Sequence, residues 1–138
     1  MLQRLNLLVA EDNLPDALLI QDIVSTENLP FEVYLVRDGE AAIAFIDAAD
    51  ANPAAPRPHI LILDLNLPKR DGHEVLSRLR ASEKMKDVPV VIVTSSDAPA
   101  DRVRAQELGA EFFRKPPSYD EFLKLGAVLR RLVQNKNA

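Results

Sequence analysis

HILILDLNLPKRDG, residues 59–72, begins as a run of large aliphatic side chains and closes that run on a carboxylate, Asp64. Successive apolar positions fit a strand covered on both faces, because a strand with one wet face alternates instead. A charge is costly to bury without a partner. Asp64 is therefore expected at the rim of a core, and the rest of the chain has to supply what it faces there.

Outward from this stretch, apolar runs of strand length alternate with amphipathic runs of helix length. LNLLVA (5–10), FEVYLV (31–36), HILIL (59–63), VPVVIVT (88–94) and AEFFR (110–114) read as strands. Helical patterns lie near 15–26, 39–49, 72–82, 98–108 and 118–134. Strict alternation of five strands with five helices, with doubly covered strands, predicts an α/β doubly wound parallel sheet in three layers, joined by right-handed crossovers. Asn13 or Asp16 is the expected cap of the first helix and Asp38 that of the second. Ser96 or Asp97 is expected to cap the fourth, and Ser118 the fifth. AADANPAAPRP (48–58), with three prolines, reads as an exposed loop away from the site.

Composition narrows the class. The 138 residues suit one domain, 47% are hydrophobic and 28% charged, and no apolar run reaches the roughly 18 to 20 residues of a membrane span. The start, MLQRLNLLVAED, has no signal-peptide cleavage site, so a cytoplasmic protein without a membrane partner is expected. With no cysteine, disulfides, thiolate metal sites and thiol nucleophiles are excluded, and two separated histidines make no metal cage. A net charge of −4 argues against a nucleic-acid surface.

In open α/β sheets the ligand site lies beyond the carboxyl ends of the strands. There the first strand ends in Glu11-Asp12, the third in Asp64, the fourth in Thr94-Ser95 and the fifth in Lys115-Pro116. Gathered carboxylates repel one another unless a cation neutralises them, and an all-oxygen donor set suits a hard ion, Mg²⁺. Asp12 and Asp64 are the expected direct ligands, Glu11 acts through a bound water, and the carbonyl of Asn66 completes the set. Read alone, the acid pair at 11 and 12 also fits a helix N-terminus; the company of Asp64 and Lys115 favours the metal. With the ion in place, Asp64 has an oxygen free to attack phosphorus, Lys115 pairs with a phosphoryl oxygen and the Thr94 hydroxyl donates to another.

These residues resemble the receiver domains of two-component response regulators over nearly the whole chain. Glu11-Asp12 is similar to the family's acid pair, Asp64 within LILDLNLPKRDG to its phosphoacceptor and Thr94-Ser95 to its hydroxyl with a small neighbour. Lys115-Pro116 is similar to its lysine and typically cis proline, and Gly72 falls where the family places glycine. The resemblance implies a flavodoxin-like fold with strand order 2-1-3-4-5 and a phosphohistidine on a sensor histidine kinase as donor. It implies a signalling protein rather than an enzyme, with self-catalysed phosphorylation and dephosphorylation. Phe112 stands where many receivers carry a switching tyrosine, so Thr94 and Phe112 form the expected switch, without a phenolic hydroxyl. Only Gln134 to Ala138 follow the fifth helix, so a single receiver over 1–138 without an output domain is expected, acting on an unidentified protein target. The 48–58 loop with PRPHILILDLNLPKRDG is similar to receivers paired with bacterial phytochrome kinases. Lys69-Arg70-Asp71 reads either as a kinase contact or as plain surface.

On residues 118–134, Phe122, Leu125, Leu129, Leu132 and Val133 form the stripe expected to face the sheet. Tyr119, Leu123 and Ala127 lie off it and make a second apolar strip, expected to mediate a homodimer through the face of the fourth helix, fifth strand and fifth helix. Asp101, Arg104 and Glu107 are placed at its rim.

Three other classes fit less well. A flavodoxin-like electron carrier needs a hydroxyl- and glycine-bearing phosphate loop where this chain has Glu11-Asp12-Asn13-Leu14-Pro15. A phosphatase working through an aspartyl phosphate needs an acid two residues after its nucleophile, where Asn66 stands. A calcium loop is excluded by Pro68 at a ligand position and by the lack of a closing Glu.

Overall fold

The structure, a computed structural model, describes residues 4–137. Five strands, β1 (Leu5–Ala10), β2 (Phe31–Val36), β3 (Ile60–Leu63), β4 (Val90–Thr94) and β5 (Glu111–Arg114), form one parallel sheet in the order β2-β1-β3-β4-β5. The helices are α1 (Leu14–Thr26), α2 (Gly39–Ala51), α3 (Gly72–Arg80), α4 (Pro99–Glu107), α5 (Tyr119–Phe122) and α6 (Leu125–Asn137).

Alternation along the central strands builds the three layers. Leu8, Leu61, Leu63, Val90 and Ile92 point to one face and pack with Ala42, Ile46, Val75, Leu76 and Leu79 of α2 and α3. Leu7, Val9, Ile60, Ile62, Val91 and Val93 point to the other and pack with Ile20 and Ile23 of α1 and with Phe122, Leu125 and Leu129. Because β1, β3 and β4 are covered on both sides, they carry continuous apolar runs. Among the described residues no helix is long and apolar enough to cross a membrane.

Several boundaries move for local reasons. α2 runs on to Ala51 through Ala-rich sequence that favours helix, and Pro53 enforces the end, so the expected loop starts at 52. β4 begins after Pro89, which has no N–H to give a ladder. Asn13, not Asp16, caps α1, its side chain accepting the Asp16 amide at 3.1 Å. α4 is capped by neither expected residue: Ala98 holds the cap position without a side-chain bond, and Asp97 pairs with Arg114 at 2.7 Å.

The expected fifth helix is two pieces. Around Leu123 and Lys124 the amides of Lys124, Gly126 and Ala127 bond three residues back, tightening the turn. At Gly126 an added Cβ would stand 1.5 Å from Glu27 Oε2, and Arg130 holds that carboxylate at 3.1 Å. The end of α1 thus presses on the backbone at the break. The stripe Phe122, Leu125, Leu129, Leu132 and Val133 is nevertheless buried as expected, while Tyr119, Leu123 and Ala127 are exposed.

Candidate functional site

The strand ends converge as the pattern predicts. Glu11, Asp64 and Lys115 each follow their strand by one residue and extend its ladder: the Glu11 amide donates to Val36, that of Asp64 to Ala10 and that of Lys115 to Thr94. These backbone bonds fix where the side chains start. Glu11, Asp64 and Thr94 are buried, whereas Asp12 and Asn66 are exposed at the mouth.

At the centre stands the Lys115 ammonium, 2.7 Å from Glu11 Oε1, 2.8 Å from Asp16 Oδ2 and 3.0 Å from Asp64 Oδ2. Asp16 is a member that sequence reasoning treated only as a possible cap; with Asn13 in that role, its carboxylate is free to join. The Asn66 amide donates to Asp64 Oδ1 at 3.1 Å and the Asn13 amide to Glu11 Oε2 at 3.1 Å. Both buried carboxylates therefore have donors on each oxygen, which is the condition for keeping such groups in a core.

Charge is divided unevenly between the two acids. Burial pushes the Glu11 carboxyl up to about 7, with Asp64 adding to the rise and the Lys115 hydrogen bond opposing it. For Asp64 burial also works upward, but the Asn66 amide, the hydrogen bond to Glu11 and the Lys115 charge outweigh it and hold its pKa below the ordinary value. Burial works to strip Lys115 of its proton, and Asp16, Glu11 and Asp64 overcome it, so the ammonium keeps its proton to higher pH than an ordinary lysine. Thus the surroundings favour the protonated form of Glu11 and the ionised form of Asp64.

This has a measurable sign. The folded value of Glu11 lies above its ordinary 4.5, so the folded protein keeps a proton that the unfolded chain releases between about pH 4.5 and 7. The stability it contributes is complete below that window and is lost as pH rises through about 7. We expect Glu11→Gln to flatten the fall in Tm between about pH 5 and 8 and to melt higher than wild type at the alkaline end. Parallel Tm curves for the two proteins would remove Glu11 as the titrating group.

The loop after Asp64 is pinned by two glycines. A Cβ at Gly72 would lie 2.5 Å from the Asp64 carbonyl oxygen, and one at Gly39 would lie 1.8 Å from that of Arg70. Their amides donate to Leu65 and Pro68, each at 3.0 Å. Lys69 takes φ 70, a left-handed conformation, and pairs with Asp38 at 3.7 Å. Arg70 pairs with Glu74, and Asp71 caps α3 through the Glu74 amide, so the Lys69-Arg70-Asp71 segment is committed locally.

Among the described residues no peptide bond is cis, so Lys115–Pro116 is trans, unlike the expectation from the resemblance. Nor do the described His, Asp and Glu side chains form a ready cage for a metal ion. The reason is Lys115, which occupies the space between three of the acids. The donors still fit a hard cation: Glu11, Asp16 and Asp64 bond the one ammonium, Asp12 stands exposed beside them, and every acidic donor is an oxygen.

Phe112 is half-buried against the α2–α3 side of the sheet, and the Arg102 guanidinium sits 4.6 Å from its ring centroid. Phe113 faces the other side and packs edge-on to Phe122. Asp101, placed at a dimer rim by its helical position, turns inward instead and meets Ser96 and His73. A cleft of about 530 Å³ lined by Asn6, Arg57, His59 and Lys84 lies at the amino end of the strands, away from these groups.

A flavodoxin-like sheet whose carboxyl edge gathers an acid pair, an ionised aspartate, a buried threonine and a charged lysine defines a phosphoacceptor signalling domain. The chain belongs to the response regulator receiver domain family, whose profile matches residues 7–125. It is 38% identical to the response regulator Rcp1 of Synechocystis sp. over 102 residues, 74% of this chain and 69% of that protein. The Mn²⁺-bound form of Rcp1 superposes with a TM-score of 0.82 at 32% identity, over 91% of each chain. The phosphorylated cyanobacterial phytochrome response regulator RcpA gives 0.86 at 29% identity, over 97% of this chain and 96% of that one. The bacteriophytochrome response regulator RtBRR gives 0.74 at 33% identity, over 92% and 78%.

Proposed function

We propose that Asp64 accepts a phosphoryl group from the phosphohistidine of a sensor histidine kinase in the cytoplasm and that the chain signals through protein contacts. The observation that carries this reading is Asp64 held between the Asn66 amide and the Lys115 ammonium at the carboxyl edge of the sheet, two donors that favour its ionised form. One Asp64 oxygen attacks phosphorus, an O–P bond forms as the donor's N–P bond breaks, and the electron pair leaves on the histidine nitrogen. Lys115 then exchanges a carboxylate for a phosphoryl oxygen, and the Thr94 hydroxyl donates to another.

Glu11, Asp12, Asp64 and the Asn66 carbonyl would hold a divalent cation, Mg²⁺ in our reading, which when bound neutralises charge on the transferred group. The Mn²⁺-bound Rcp1 supports a divalent ion in such a site. The likeness to Rcp1, RcpA and RtBRR supports a bacteriophytochrome-type kinase as donor. Incubation with Mg²⁺ and acetyl phosphate, followed by intact-mass measurement, should show one hydroxylamine-sensitive phosphoryl adduct formed by self-catalysis. A protein that gains no adduct contradicts the reading.

The output surface is α4, β5 and the α5–α6 segment, switched by Thr94 and Phe112, and a homodimer uses the exposed Tyr119, Leu123 and Ala127. In this scheme Phe112 leaves Arg102 as it turns. Leu123→Glu puts a charge in that apolar strip, so sedimentation at high micromolar concentration should show wild-type dimer and variant monomer with beryllofluoride present. A dimer indifferent to the substitution would exclude the strip.

A further inference from the structure

Thr94 is fully buried, and its hydroxyl oxygen accepts the Ser96 amide at 3.3 Å. Ser96 reaches further: its hydroxyl donates to Asp101 Oδ2 at 2.6 Å and accepts the Ala98 amide at 3.2 Å. The second oxygen of Asp101 lies 3.0 Å from His73 Nε2. A carboxylate only accepts, so the proton is on Nε2. His73 Nδ1 is buried with no hydrogen-bond partner among the described residues. A continuous polar chain thus links the hydroxyl at the end of β4 to α3.

Little else holds α4 in place. Of Pro99–Glu107 only Ala105 is buried, and the Ala98 cap contributes no side chain. The apolar grip on this helix is thin, so the Asp101 carboxylate, shared by Ser96 and His73, is a principal tie between α4, the β4–α4 connection and α3. Neither His73 nor Asp101 touches the Asp64 cluster, and the chemistry proposed above does not use them.

We infer that Asp101 and His73 are positioning residues for Thr94: acting through Ser96, they hold the β4–α4 connection in its resting arrangement and so restrain phosphorylation of Asp64. The inference rests on the Asp64 reading. The link to Thr94 is the longest in the chain, at 3.3 Å, so it is the one that yields when Thr94 turns to a phosphoryl oxygen. Releasing the tie beforehand raises the population of the competent arrangement, and phosphorylation then proceeds faster.

Three variants separate the tie from packing. Asp101→Ala removes the shared acceptor, His73→Leu keeps apolar bulk without the donor, and His73→Gln keeps a donor. We expect amide exchange at Ser96 and through the first turn of α4 to quicken in unphosphorylated Asp101→Ala and His73→Leu. Acetyl-phosphate labelling should quicken at least about threefold in both, with His73→Gln close to wild type. Unchanged exchange in Asp101→Ala and His73→Leu overturns the tie, and so does His73→Gln behaving like His73→Leu. Faster exchange with a wild-type labelling rate overturns its role in positioning. Absence of any adduct on the wild type counts against the Asp64 reading instead, and the exchange arm, which needs no phosphoryl donor, keeps the two failures apart.

Discussion

Asp64→Asn will carry no phosphoryl adduct under conditions in which the wild type is labelled, and it will melt at or above the wild-type temperature near pH 7. Two physical effects combine. The amide lacks the ionised oxygen that attacks phosphorus, so labelling falls to the detection limit rather than by a modest factor. The substitution also removes one of the three carboxylates bonded to the Lys115 ammonium, which keeps Glu11 and Asp16 as partners. Intact mass and thermal unfolding together read both effects. Continued labelling, or an adduct mapped to Asp71, would dismiss Asp64 as the acceptor.

The second large effect is expected from Lys115→Ala. The lysine side chain is only 13% exposed and bonds three carboxylates, so its removal leaves Glu11, Asp16 and Asp64 facing one another without a counter-ion. Breaking a buried ion pair from one side costs about 3–5 kcal/mol, and the partly open mouth of this site reduces that to about 2–4 kcal/mol. Tm at neutral pH should fall by roughly 5–15 °C. The penalty has a characteristic dependence: it shrinks as pH falls and the acids take up protons, and it shrinks when millimolar Mg²⁺ is added. Some labelling of Asp64 should persist, without the change in amide exchange across α4 and β5 that we expect on labelling of the wild type. A penalty insensitive to both pH and divalent ions would show that Lys115 is held by packing rather than by charge.

The fold was legible because the chain's strongest signals concern burial. Continuous apolar runs at β3 and β4 could only be strands sandwiched between helices, and the parallel sheet followed from strict alternation with helical segments. The site was legible for a related reason. Charged and hydroxyl residues that terminate apolar strands are forced together by strand direction, so Glu11, Asp64, Thr94 and Lys115 are placed by topology alone. What escaped were contacts that depend on how layers pack. Asp16 sits in a first helical turn, where an acid serves equally as a cap or as a partner for something outside the helix, and the sequence near it does not choose. His73 and Asp101 belong to different helices, and no local pattern announces that they meet. The divided last helix did leave a trace, Gly126 within a helical pattern, but its cause, the Glu27 carboxylate lying against that glycine, belongs to the end of α1.

Gly39 and Gly72 carry an implication for how this molecule can change. Each lies against the backbone of the segment that presents Asp64, in space where even a methyl group would collide with main-chain atoms. Substitution at either would displace the segment that holds Asp64, so the inner wall of the loop is closed to larger side chains. Room for side-chain change is therefore confined to the outer rim, where Asn66, Lys69 and Arg70 face solvent.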